Sequence, residues 1–240
     1  MTDSWSEDQR RHFNKRLPEY VNMYGVDSSF HNAMAGSFLD LARPRQGESV
    51  LDIGCGMGRA SVPLLQAGCY VTGLDISGPS LDALIRRVDK LGLTEKFDAV
   101  CRGAEEIEYT KRFQLVTGRG ILHHLNDPVA VIRKIRRALL PGGRAVFMDP
   151  NPLNLAWIPY ILFHPTLAWS IERRVLRQTP SRTIAMLETA GLKRIRHTYA
   201  GLVPPPLWGR VSRAADIERR LVAVPVLRKL ALYLLVSGER

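Results

Sequence analysis

Cysteine is scarce: three residues in 240, at positions 55, 69 and 101, an odd number with no metal-ligand spacing. That excludes a disulfide-stapled scaffold and a cysteine-built metal centre, and a reducing cytoplasm is the expected setting. Long apolar runs are also missing. The most apolar stretch, residues 150–178, is cut by Pro152, Pro159 and Pro165 and carries Asn154 and His164. A bilayer-spanning helix needs about 20 continuous apolar residues, so none is expected. The opening Met1-Thr2-Asp3-Ser4-Trp5-Ser6-Glu7-Asp8 is polar and acidic, which predicts no signal peptide. Repeats and low-complexity segments are lacking as well. Acidic residues are outnumbered 23 to 34, for a net charge of +11. Residues 151–240 hold 14 basic and 5 acidic side chains, so the excess belongs to the C-terminal third. With 45% hydrophobic and 24% charged residues, the length suits one large α/β domain with a proper core.

The rest of the chain is organised around Val50-Leu51-Asp52-Ile53-Gly54-Cys55-Gly56-Met57-Gly58. Apolar positions around an acid predict a short buried strand. Three alternate glycines then predict a turn, with a helix opening behind it at Arg59-Ala60-Ser61. Glycine allows the unusual φ and close ligand approach of such a turn, and the helix N-terminus offers N–H groups to an anion. A dinucleotide fingerprint would need its third glycine at position 59, where Arg59 stands. Further strands are predicted at 70–75, 97–101, 113–117, 144–148, 192–198 and 233–236, alternating with helices. This rhythm predicts an α/β, doubly wound, mainly parallel sheet. Ser77 with Pro79 and Asp127 with Pro128 are helix starts, and Pro141-Gly142-Gly143 is a helix stop. Phe30, Met34, Phe38 and Leu41 keep helical spacing, so residues 1–47 read as an N-terminal helical cap on a domain of 48–240. The aromatic stretch 150–178 reads as a substrate lid, and a long basic helix is predicted near 207–230.

In such a sheet the ligand sits beyond the C-terminal strand ends. Asp75, 21 residues after Gly54, stands where a carboxylate can accept both ribose hydroxyls of an adenosyl group. The G-x-G-x-G turn preceded by Leu-Asp-Ile resembles motif I of the class I S-adenosylmethionine-dependent methyltransferases. Arg102-Gly103-Ala104-Glu105 is similar to that family's Gly-Asp-Ala-Glu stretch, with Gly103 at the Asp position. Thr117-Gly118-Arg119-Gly120-Ile121-Leu122-His123-His124-Leu125 resembles the Thr-Arg-Gly-x-Leu-His-His-Leu segment of a small-molecule branch, with Gly118 inserted. The likeness covers residues 48–150 well and the rest in outline. It implies a Rossmann-like seven-stranded sheet of order 3-2-1-4-5-7-6 with strand 7 antiparallel. It also implies S-adenosyl-L-methionine as cofactor and S-adenosyl-L-homocysteine as its product. The implied cofactor residues are Asp52, Gly54, Gly56, Gly58, Asp75, Ile76, Ala104, Glu105 and Arg119.

Methyl transfer from a sulfonium is an in-line displacement in which the protein aligns the partners and excludes water. An alcohol, phenol or carbon acid also needs a base. His123 and His124, where the fourth strand ends, are the candidates, and the alternative is that the pair packs and hydrogen-bonds the loop. His31, His164 and His197 stand alone, and no metal site is expected. Arg173, Arg174 and Arg177 follow the lid at helical spacing and read as a clamp for a phosphate or carboxylate. The reading is therefore methylation, with oxygen favoured, of a small, partly apolar and anionic acceptor, with peripheral contact to an anionic membrane. Two alternatives stay open: a nucleic-acid or protein methyltransferase using the basic third, and an adenosyl-binding module without catalysis. Nucleic acid is disfavoured because Asp149-Pro150-Asn151-Pro152 follows the fifth strand and lacks the aromatic residue of the amino-methyltransferase motif. Oligomeric state leaves no signal.

Overall fold

The computed structural model describes residues 4–24, 29–163 and 169–240, with the side chains of 4 and 19–24 excepted. Expectations resting on residues 1–3, His164 and Pro165 lie outside the described residues. Seven strands form one sheet: β1 (Ser49–Ile53), β2 (Tyr70–Asp75), β3 (Phe97–Cys101), β4 (Phe113–Arg119), β5 (Leu139–Pro150), β6 (Lys193–Ala200) and β7 (Tyr233–Glu239). Their order is β3-β2-β1-β4-β5-β7-β6. The first five run parallel, while β7 pairs antiparallel with both β5 and β6. This is the order and the strand direction that the resemblance implied. The central strands read as near-continuous apolar runs because helices cover both faces of the sheet.

The helices are α1 (Ser4–Tyr24), α2 (Ser29–Ala42), α3 (Ser61–Gln66), α4 (Gly78–Lys90), α5 (Pro128–Ala138), α6 (Trp157–Phe163), α7 (Trp169–Glu172), α8 (Pro180–Thr189) and α9 (Ala214–Ala223). Their starts follow the cap chemistry. The Ser77 hydroxyl accepts from Ser80 N–H with Pro79 in the first turn, and Asp127 accepts from Ala130 N–H ahead of Pro128. On α2, the stripe Phe30, Met34, Phe38 and Ala42 is buried in the main core beside Val50, Val146 and Leu235. Arg144 fastens that helix to the sheet. It pairs with both oxygens of Glu48 at 2.8 and 3.0 Å and donates to the carbonyls of Ala42 and Arg43.

Two expectations need correction. Helix α5 ends at Ala138 and the chain already runs as β5 through Pro141-Gly142-Gly143, because Leu139 turns extended and pairs with Phe113. The long basic helix of 207–230 does not form. That stretch holds a 3-10 turn ending at Leu207, helix α9 and a second 3-10 turn at Leu227–Leu230. Pro225 forces Val224 into extended backbone and ends α9 there. Inside α9, buried Glu218 accepts the N–H groups of Gly201, Leu202 and Val203 at 2.6, 3.1 and 2.8 Å. It thereby holds the loop after β6.

Gly58 has φ +87°, and a Cβ there would lie 2.3 Å from Leu84 Cδ1 and 3.1 Å from Val62 Cγ2. Gly58→Ala is therefore expected to destabilise the fold by roughly 1–3 kcal/mol, from overpacking and backbone strain. A urea-unfolding midpoint equal to wild type would contradict this.

Candidate active site

The turn after β1 puts three glycines in left-handed backbone, with φ of +62°, +49° and +87° at Gly54, Gly56 and Gly58. Each tolerates the conformation for a different reason. A Cβ on Gly54 would strike Ile121 Cδ1 at 2.7 Å, so that glycine lets the turn after β4 close in. A Cβ on Gly56 meets only Asp75 Oδ2, at 4.0 Å, so the backbone there lies open to approach. A Cβ on Gly58 would meet Leu84, and Gly58 is not among the residues that line the cavity described below.

Asp75 closes β2 and is buried. Gly56 N–H donates to its Oδ2 at 2.7 Å and Ser77 N–H to its Oδ1 at 2.8 Å. Burial pushes its pKa up, and those N–H groups pull it back. Asp52, at the end of β1, accepts from the Ser61 hydroxyl at 2.6 Å and the Thr117 hydroxyl at 2.9 Å. Burial raises it to about 6 despite those two bonds. The Cys55 thiol beside it is buried and pushed well up, which makes it a packed group. Arg119 donates to the Arg59 carbonyl at 2.9 Å and lies over the Phe38 ring.

Beyond these strand ends lies a cavity of about 980 Å³. Asp52, Gly54, Gly56, Asp75, Ile76, Ala104, Glu105 and Arg119 all line it, as do His123 and His124. The glycine turn and the ends of β2, β3 and β4 thus meet at one place, the switch point of a doubly wound sheet. The lining also includes the aromatic side chains of Phe13, Phe30, Trp157, Tyr160, Trp208 and Tyr233.

His123 Nδ1 is 2.8 Å from Asp149 Oδ1 and its Nε2 is 3.8 Å from Glu172 Oε2. Glu172 in turn takes His12 Nε2 at 3.3 Å and Arg16 Nη1 at 3.2 Å, both on Oε1. These partners hold its carboxyl down at about 2, although burial alone would raise it. His124 stacks against His123 at 3.9 Å between ring centroids and meets Phe13 edge-on at 5.0 Å. Burial, and then the neighbouring His123, push its pKa well below the ordinary value, so its ring is neutral. Ligand-capable atoms of His123, His124 and Glu172 lie within 4.8 Å of one another, with the Arg16 guanidinium already on the Glu172 carboxylate.

A family model described as a methyltransferase domain matches residues 50–143. The chain is 30% identical over 178 residues to a ubiquinone biosynthesis O-methyltransferase of Idiomarina loihiensis, spanning 72% of both chains. It is 31% identical over 193 residues to the protein so named in Stutzerimonas stutzeri, spanning 78% of this chain and 82% of the relative. The chain belongs to the class I S-adenosylmethionine-dependent methyltransferases. In fold it is similar to phosphoethanolamine N-methyltransferase 2 of Haemonchus contortus in complex with phosphomonomethylethanolamine and S-adenosylhomocysteine. The TM-score is 0.70 at 17% identity, covering 100% of this chain and 60% of that one. S-adenosylmethionine is its cofactor, and the open backbone of Gly56 beside the fixed Asp75 carboxylate fits an adenosyl group.

The arginine clamp expected of this methyltransferase is not at the cavity. Among the described residues Arg173, Arg174 and Arg177 do not line it, because the segment folds as a 3-10 turn. Arg174 instead donates to the Leu125 carbonyl at 2.9 Å and covers the Trp5 ring at 3.7 Å. The residues that the sequence reading missed lie on α1 and α7, namely Trp5, Gln9, His12, Phe13, Arg16 and Glu172. One signal was present: positions 5, 9, 12, 13 and 16 share a helix face. Asp149 was read only as part of a motif that failed, and its role beside His123 needs the fold.

Glu172 carries a pH signature. Its pKa falls on folding from an ordinary 4.5 to about 2, so its contribution is complete above pH 4.5 and fades as pH drops toward 2. Glu172→Gln is expected to cost about 3 kcal/mol at neutral pH and progressively less below pH 4.5. A penalty that stays constant down to pH 2.5 in chemical unfolding would contradict this.

Proposed function

We propose that this enzyme methylates an oxygen of a small, partly apolar acceptor, with His123 as general base. The observation that carries the reading is the place of His123, which lines the cavity with a carboxylate on Nδ1 and with Glu172 Oε2 3.8 Å from Nε2. The relatives, ubiquinone biosynthesis O-methyltransferases by name, support oxygen as the acceptor atom.

Asp75, whose oxygens keep lone pairs beyond the Gly56 and Ser77 N–H donors, takes the ribose hydroxyls. Gly54 and Gly56 give close backbone approach, while Ile76, Ala104 and Glu105 frame the adenine end. Asp52 and Arg119 brace the β1–β4 floor through Ser61, Thr117 and the Arg59 carbonyl. When bound, the cofactor supplies an electrophilic methyl group together with its leaving group. The chain then has three tasks: to align the acceptor oxygen, to exclude water and to take one proton. Asp149 fixes the His123 tautomer with Nδ1 protonated, leaving Nε2 to receive that proton. His124, neutral and stacked on His123, shapes the pocket. Residues 1–47 and 150–178 serve as cap and lid over the domain of 48–240.

The acceptor enters past α6, where Leu155, Ile158, Leu162 and Phe163 are exposed beside Trp157 and Tyr160. No helix among the described residues is long and apolar enough to cross a membrane. The exposed side chains and the basic C-terminal third suit peripheral contact with an anionic bilayer in a cytoplasmic setting, and Arg210 at the cavity rim suits an anionic group on the acceptor. Co-sedimentation with anionic vesicles should fall for Leu162→Asp/Phe163→Asp, and vesicle binding unchanged in that variant would remove the membrane contact.

His123→Ala is expected to lower kcat by about 10²–10⁴ with the affinity for S-adenosylhomocysteine unchanged. Asp75→Ala is expected to weaken that affinity at least tenfold, since two charge-assisted bonds of about 1.5–3 kcal/mol each are lost. Calorimetry and steady-state rates measured on both variants separate the roles. Wild-type kcat in His123→Ala would leave alignment alone and point to an acceptor that needs no base.

A further inference from the structure

Gln9 is only 5% exposed, lines the cavity, and has neither its amide nitrogen nor its amide oxygen hydrogen-bonded among the described residues. His124 Nδ1 is in the same state. A buried amide without partners is costly, and such groups are found where a ligand completes them. The geometry of α1 says what Gln9 faces. Trp5, Gln9 and Phe13 are spaced four apart and share one side of the helix. Trp5 Nε1 donates to the His124 carbonyl at 3.0 Å, and the Phe13 ring meets the His124 ring at 5.0 Å. Gln9, between them on that side, lines the same cavity as the histidine pair. His12 and Arg16, the next buried positions on α1, are spent on Glu172.

We infer that Gln9 is a specificity-determining residue that reads a second, uncharged polar group on the acceptor, next to the oxygen that is methylated. The inference rests on the O-methyltransferase reading of the cavity. A glutamine amide presents a donor and an acceptor side by side in one plane. The group that meets both at once carries the same pair reversed, as a carboxamide or lactam does. A carboxylate meets only the N–H side and sets its charge against the Gln9 oxygen. His124 Nδ1 adds one further bond to the same group.

The test is calorimetric binding of 2-hydroxybenzamide, phenol and 2-hydroxybenzoate to the full chain saturated with S-adenosylhomocysteine. Wild type is expected to bind 2-hydroxybenzamide at least tenfold more tightly than the other two. Gln9→Leu is expected to lose that preference while keeping its affinity for S-adenosylhomocysteine. Its Tm should be equal or higher, because an unmet amide has been removed. Gln9→Met, of similar length and apolar, repeats the test if the first variant folds poorly. Equal binding of all three compounds by wild type overturns the inference alone, and so does a preference that survives in either variant. A Tm lowered in both variants makes Gln9 a structural residue and also overturns it. Binding of none of the three compounds overturns the inference together with the O-acceptor reading.

Discussion

The bond from Gly56 N–H to Asp75 Oδ2 ties the turn after β1 to the end of β2, and the cofactor half of the cavity depends on it. The turn reaches that geometry because Gly54 and Gly56 take positive φ, which costs an L side chain what it does not cost glycine. Asp75 is buried, so its charge is tolerable only with the N–H groups that face it. The same N–H groups hold it in one rotamer before any ligand arrives. Packing supports the arrangement from below, where Gly58 lets Leu84 of α4 come up under the turn.

The surroundings of His123 are held by electrostatics across long chain separations. Glu172 lies 156 residues from Arg16 and 160 from His12, yet all three are buried together. A carboxylate at that depth persists because two side chains of α1 hydrogen-bond it. The pairing joins α1 to α7, and His123 from the turn after β4 completes the set. Asp149, at the end of β5, supports His123 from its other edge. His123 is thus surrounded by β5 through Asp149, by α7 through Glu172 and, behind Glu172, by α1.

This division explains what could be read from the chain. The strands, the glycine turn and Asp75 were legible because their signals are local: apolar runs, caps at Ser77 and Asp127, and an acid at a fixed distance from Gly54. The packing of Gly58 against Leu84 was not legible, because a motif cannot say which glycines face a cavity and which face a neighbouring helix. The helix of 207–230 was overdrawn because its basic periodicity hid the effect of Pro225 on Val224. Arg174 was read as an anion clamp, whereas the fold turns it onto Trp5, a residue 169 positions away. Gln9 and Arg16 offered only a shared helix face and Glu172 no local signal, since their importance comes from what tertiary packing leaves paired or unpaired.

The most direct test of the central claim is a crystal structure of the chain with S-adenosylhomocysteine. The expected result has both ribose hydroxyls on Asp75, the turn of Gly54 and Gly56 against the amino-acid end, and the sulfur directed toward the space beside His123 Nε2. A cofactor bound with its ribose away from Asp75, or with its sulfur walled off from His123, would contradict the account.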